Sequence, residues 1–218
     1  MSTTQRRTLG LGGLLFVVIV IVAIAVTGNS PATNASISTL LSYYHQHRGN
    51  QLASAYLLEL GVVVGVVFFW YLRELLMESQ ANRRLVNLGF VGIIFFATAG
   101  ALSGGLRFAL WDYLGNSVIS VSTLQTLNTV QQDANVILTG VGQALFLLAT
   151  GVALITSGAL ARWLGWVGVV LGVVSLVLPF FGPIPTGLWV IISSIVIMVG
   201  ARSAAPSQGA MGSPAGAG

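Results

Sequence analysis

The stretch GLGGLLFVVIVIVAIAVT, Gly10–Thr27, decides the fold. It carries no charge along its whole length, and about 20 mostly apolar residues are what a helix needs to cross roughly 30 Å of hydrocarbon. In lipid the backbone amides must be satisfied within the segment, which makes the stretch a helix. Five more stretches of the same character follow, at 52–72, 85–106, 135–160, 164–181 and 186–200. Hydrophobic residues make up 55% of the 218 and charged residues 6%, whereas a soluble domain holds about a quarter charged residues. The expectation is an all-α polytopic membrane protein, a six-transmembrane-helix bundle forming one domain over 1–200. The tail, 201–218, is mostly Ala, Gly, Ser and Pro and reads as a disordered cytoplasmic end.

All nine basic residues are Arg, and the chain has no Cys. Without Lys there is no Schiff-base chemistry, and without Cys no disulfide, thiolate metal site or Cys-ligated haem or iron–sulfur cluster. The arginines are scattered beside apolar runs, which marks topology rather than nucleic-acid binding. Six spans put both termini on one side, together with Arg6, Arg7, Arg73, Arg83, Arg84, Arg162 and Arg202; Arg48 and Arg107 fall opposite. The positive-inside rule makes the first side cytoplasmic. Arg without Lys, with many Ala and Gly, suggests a GC-rich bacterial genome and so a bacterial plasma membrane. Phe68–Tyr71, Trp163 and Trp166 would mark the inner interface, and Trp111, Tyr113, Phe180 and Trp189 the outer one. The first span exceeds the apolar core of a signal peptide, and Ala23–Ala25 lies inside it, so it reads as a retained anchor.

Two outer segments are more than loops. NASISTLLSYYHQHRGN, 34–50, starts with capping Ser and Thr and places Leu40, Leu41 and Tyr44 at helical spacing, predicting a short amphipathic helix on the outer surface. Residues 116–133 carry Val121, Leu124, Leu127 and Val130 three apart, extending the fourth span outward. GPIP, 182–185, leaves room only for a tight hairpin between spans five and six. Leu-Gly-x-x-Gly recurs at 9–13, 88–92 and 164–168, each time shortly after an Arg. Glycines spaced this way open a groove for a neighbouring helix, and Gly61, Gly65, Gly89, Gly92, Gly100, Gly104, Gly165, Gly168 and Gly172 are the packing candidates.

Groups that could carry chemistry are few. Glu59 lies in the outer half of span two, with Arg107 and Gln143 at similar depth on spans three and four. Two readings are open: an outward-facing polar vestibule taking up a proton, cation or amine, or a carboxyl bonded to Gln143 or a backbone carbonyl as interhelical glue. His45 and His47 are two imidazoles where zinc needs three or four protein ligands. RELLMESQANRR, 73–84, reads as interface anchoring by salt-bridged turns. No nucleophile–base pair or phosphate loop stands out, and no cofactor is implied.

YYHQHRGNQLASAYLLEL (43–60), FFWYLREL (68–75) and ALARWLGWVGVVLGVV (159–174) together resemble a family of actinobacterial multipass membrane proteins of the domain-of-unknown-function type, over roughly 37–200. The resemblance implies a helical bundle of about six spans in the plasma membrane and brings no activity, cofactor or catalytic residue. The expected function is that of a non-enzymatic structural or accessory component, partnered by the bilayer and by a second copy or another membrane protein. The alternative is a small transporter or channel centred on Glu59.

Overall fold

A computed structural model describes residues 2–78, 81–116 and 120–203. Among them there are helices and no strands: α1 Thr3–Thr27, α2 Ile37–Gln46, α3 Arg48–Glu78, α4 Arg83–Asn116, α5 Val121–Ser157, α6 Arg162–Val177 and α7 Ile184–Ser203, with a 3-10 turn at Pro179–Phe181 before α7. Four of them, α1, α3, α4 and α5, are long and apolar enough to cross a membrane; α6 and α7 are shorter apolar helices. The disordered tail proposed for 201–218 lies, beyond Ser203, outside the described residues, as do 117–119 of the outward extension.

Local chemistry sets the helix ends. Ser2 and Gln5 form a reciprocal capping box on α1, Gln5 N–H donating to Ser2 Oγ (3.2 Å) and Ser2 N–H to Gln5 Oε1 (2.7 Å). Ser36 and Ser120 cap α2 and α5 one-sidedly, their side chains accepting from Thr39 and Thr123 N–H respectively. Gly158 ends α5 at φ +63°, a left-handed conformation that favours glycine, so the chain turns within a few residues into α6.

Each long helix packs on the next in sequence, α1 on α3, then α4, α5, α6 and α7, and α7 returns to α1. This makes a ring. Its seams are closed by glycine. An added Cβ on Gly92 would sit 2.5 Å from Phe146 N and 2.7 Å from Gly142 O; one on Gly165 would sit 2.7 Å from Gly151 O. The other Leu-Gly-x-x-Gly repeat presents Gly10 and Gly13 to Met198 and Ser194 of α7. All three repeats therefore lie at helix–helix contacts, where a missing side chain lets backbones approach. Gly89 meets Thr150, Gly65 the Phe16 ring, Gly168 Trp189, and Gly172 Leu148.

Across the ring interior runs a layer of aromatic rings, one from each of five helices. Phe16 packs edge-on against Phe69 (5.7 Å between centroids) and Phe96 (6.4 Å), Phe69 against Phe146 (5.0 Å), and Phe146 against Trp189 (5.2 Å). Trp189 is fully buried. It belongs to this layer and not to an interfacial belt.

The α6–α7 hairpin is short. Gln143 Nε2 donates to Gly182 O (2.6 Å) and its Oε1 accepts from Thr186 N–H (3.1 Å), fixing the hairpin tip to the middle of α5. From there α5 runs on to Val121 for about 30 Å at 1.5 Å per residue. The ring therefore has six helices at one end but only α1, α3, α4 and α5 at the other, which is the end that carries α2.

There α2 is packed against protein. Leu40 and Tyr44 are buried with Leu110 of α4 and Leu124 of α5 in a second, smaller core. The expected surface-lying helix is instead the third member of a cap built on the extended ends of α4 and α5. Its apolar face had a partner more than sixty residues away in sequence, a contact that local periodicity does not reveal. Tyr44 donates to Asn128 Oδ1 (2.8 Å), and burial, aided by Tyr43 and opposed by Arg107, pushes its phenol up to about 12. An unfolded Tyr ionises near 10.0, so the neutral phenol's stabilisation is intact below that and is lost as pH rises toward about 12. Unfolding midpoints measured across this window should fall for the parent chain and fall less for Tyr44→Phe.

Candidate functional site

Sequence reading singled out Glu59, Arg107 and Gln143 as a group; the structure separates them. Gln143 is buried and spends both ends of its amide on the hairpin tip. Its role is structural. Gln143→Leu should lower the unfolding midpoint in detergent, with about 1–3 kcal/mol lost because Gly182 O and Thr186 N–H are left unpaired.

Glu59 is exposed on the outside of the ring, its carboxylate lying over the bare surface of Gly104. Helical side chains lean toward the N-terminus of their helix, which for α3 is the α2 end. Gly104 leaves the carboxylate a path in that direction, so Glu59 leans toward the interface and does not point into the bundle. It meets neither Gln143 nor Arg107.

Arg107 is the centre of a polar knot where α1, α2, α3 and α4 converge. Its Nη1 donates to Thr27 Oγ1 (2.8 Å) and to Gln51 Oε1 (3.2 Å). Thr27 Oγ1 is also 2.8 Å from Ser54 Oγ, which donates to Ala23 O (3.1 Å), and Tyr43 O–H donates to Thr27 O (2.8 Å). Thr27, Gln51 and Ser54 are buried. Sequence reasoning missed all three; the available signal was that Thr27, Gln51 and Ser54 are hydroxyl and amide groups at the same ends of spans one and two. Two buried donors of the knot have no hydrogen-bond partner, Arg107 Nε and Gln51 Nε2.

Below the knot a cavity of about 110 Å³ lies inside the ring. Ser103 and Arg107 line its polar end, while Gly61, Val62, Ala97, Gly100 and Thr139 line its walls. Phe16, Phe69 and Phe96 of the aromatic layer form its floor. Pro183, at the hairpin tip, forms its lip. Because α6 and α7 stop there, α1 and α5 face each other across a gap on this level. The gap is roofed by the α1–α2 linker, where Pro31 O and Ala32 O accept from Gln132 Nε2 (2.7 Å) and Asn128 Nδ2 (3.5 Å) of α5. The aromatic layer thus lies under the cavity and the knot over it, and on this level α1 and α5 are not closely packed on each other.

The two histidines take no part in it. His47 stacks on Tyr43 (4.5 Å between centroids), its Nδ1 2.9 Å from Tyr43 O, and His45 is exposed on α2. No cluster of three or more His, Asp or Glu that could hold a metal occurs among the described residues. Arg48 sits over the Trp111 ring (5.1 Å) and donates from Nε to Trp111 O (3.1 Å), and Arg73 donates to Asn87 Oδ1 and covers Trp70; both join helix ends. The segment 73–84 is largely helical, α3 running to Glu78 and α4 starting at Arg83, with 79–80 outside the described residues.

Comparison with known proteins finds no family model, no curated protein and no solved structure that matches this chain.

Proposed function

We propose that the chain is a non-enzymatic component of a bacterial plasma membrane, a six-span helical bundle with both termini cytoplasmic, whose one-ended cavity holds a membrane-soluble molecule and does not conduct it. The observation that carries this reading is the aromatic layer beneath the cavity, five rings packed edge to face in the path from the cavity to the other end of the bundle. The orientation rests on the arginines, with Arg6, Arg7, Arg73, Arg83, Arg84, Arg162 and Arg202 belonging to one end and Arg48 and Arg107 to the other. Since α6 and α7 enter and leave from the same end, both termini share a side however far the hairpin tip reaches.

Single-cysteine variants of this cysteine-free chain test the orientation. Ser42→Cys should react with a membrane-impermeant maleimide in intact cells and Thr4→Cys only after lysis; the reverse pattern overturns the topology. Proteoliposomes test the one-ended reading: ion or proton flux above that of empty vesicles would overturn it. The alternative, a transporter working through Glu59, is opposed by that residue's place on the outer surface. Glu59→Gln is expected to shift stability by no more than about 0.5 kcal/mol and leave vesicle flux unchanged. A pH-dependent flux removed by that variant would restore the alternative.

A further inference from the structure

We propose that the cavity is a binding site for a single-chain lipid ending in an anionic oxyanion, specifically a long-chain carboxylate that enters through the window between α1 and α5 and places its head at Arg107. This names the ligand class for the cavity reading above and rests on it.

Three features set the chemistry. The first is the division of the lining. Arg107 and Ser103 lie at the α2 end, and from Gly100 to the aromatic floor the lining is apolar apart from Thr139. On α4 the lining residues run from Arg107 to Ile93, about 21 Å of helix and more than one bilayer leaflet of roughly 15 Å. A site of that polarity suits the head and upper part of an acyl chain, the rest of which stays in the bilayer outside the window, since the cavity itself holds only about 110 Å³.

The second is the imbalance of donors over acceptors in the knot. Arg107 carries a full positive charge at the edge of hydrocarbon, and its hydrogen-bonded partners Thr27 and Gln51 are both uncharged. Arg107 Nε and Gln51 Nε2 are buried donors with nothing to bond. Buried polar groups are normally satisfied, and orphaned donors clustered around a cation mark a place where an acceptor is missing. Of the two residues only Arg107 lines the cavity, and a carboxylate there brings the opposite charge to its guanidinium; guanidinium–carboxylate pairs are among the stronger hydrogen-bonded pairs. Glu59 does not serve, because it lies outside the ring over Gly104.

The third is access. The window faces the bilayer, bounded below by the hairpin tip at Pro183 and above by the linker at Pro31 and Ala32. Its sides are α1 and α5. A lipid reaches such a window by lateral diffusion with its chain already in hydrocarbon and its head already at the interface.

The experiment is equilibrium binding to the full chain in a neutral detergent at alkaline pH, with radiolabelled palmitate, hexadecanol and lysophosphatidate as the probes. Palmitate should bind saturably, one per chain, at least tenfold more tightly than hexadecanol and more tightly than lysophosphatidate. Arg107→Gln should bring palmitate to within about twofold of hexadecanol while leaving hexadecanol binding in place, which also shows that the variant is folded. Ala97→Phe, which fills the cavity away from the knot, should abolish binding of all three at an unchanged size-exclusion profile. Equal affinity for palmitate and hexadecanol in the parent chain, or a preference that survives Arg107→Gln, overturns the anion assignment and leaves the cavity reading standing. Tighter binding of lysophosphatidate overturns the carboxylate in favour of a phosphate head. Binding of none of the three overturns the cavity reading itself.

Discussion

Gly92→Val is expected to separate α4 from α5 and lose most of the folded protein recovered in mild detergent. A Cβ at this position would lie 2.5 Å from Phe146 N, 2.7 Å from Gly142 O and 3.0 Å from Phe146 Cα, all of them backbone atoms. A side-chain clash can be relieved by rotation, but this one requires a helix to move. The contact is reciprocal, since a Cβ on Gly142 would meet Phe96 N at 2.7 Å and Gly92 O at 2.8 Å. Overpacking in cores costs about 1–3 kcal/mol where neighbours can adjust, and this site should lie at the top of that range or above it. Gly12→Ala is the matched control, because nothing lies within 4 Å of its Cβ position. It should leave the unfolding midpoint unchanged or slightly raised, given alanine's better helix propensity. Equal behaviour of the two variants in a thermal or denaturant titration would mean that glycine closeness does not hold the α4–α5 seam.

Trp189→Ala should give the second large effect. The indole is fully buried, packs against Phe146 at 5.2 Å, and donates from Nε1 to Leu164 O at 3.3 Å. It fills the space over Gly168, whose Cβ position lies 3.0 Å from that nitrogen. In water-soluble cores an aromatic-to-Ala change costs about 3–5 kcal/mol, part of it transfer of apolar surface to water. In a bilayer that part drops out, since the separated helix remains in hydrocarbon, and the lost packing is left at roughly 2–3 kcal/mol. The hole is apolar and the shape of an aromatic ring, so added indole should raise the midpoint of the variant and not that of the parent. A variant as stable as the parent, or one unmoved by indole, would mean that the aromatic layer is not a packed element.

What the sequence made legible follows from the range over which each signal acts. The helix over 10–27 could be read because an uncharged apolar run is a local property, and Thr3–Thr27 contains it. The helix within 34–50 was marked by its Ser36 cap, yet what covers Leu40 and Tyr44 depends on Leu110 and Leu124, which only the ring brings near. Glu59 and Arg107 share a depth, but depth along a span says nothing about azimuth around it; Gln143, expected level with them, lies beside Gly92 and Phe96, about 16 Å further down α4. One turned outward over Gly104, one inward to Thr27 and Gln51, and one sideways to the hairpin. Trp189 stands near the start of a span, where an indole ordinarily marks an interface. It is buried because its hairpin ends at Gln143, and the depth of a hairpin is not written in the hairpin's own residues.

The seam between α7 and α1 bears on how the molecule is made. It joins the first helix synthesised to the last, so Gly10 and Gly13 stand without Ser194 and Met198 while everything between is being translated. Every other seam joins neighbours in sequence and can form as soon as its second helix emerges. The ring therefore stays an open arc until the final helix inserts. During that interval the small-residue stripe of α1 faces lipid, or whatever insertion factor shields it, and a chain cut short before α7 could complete four of its seams and still never close.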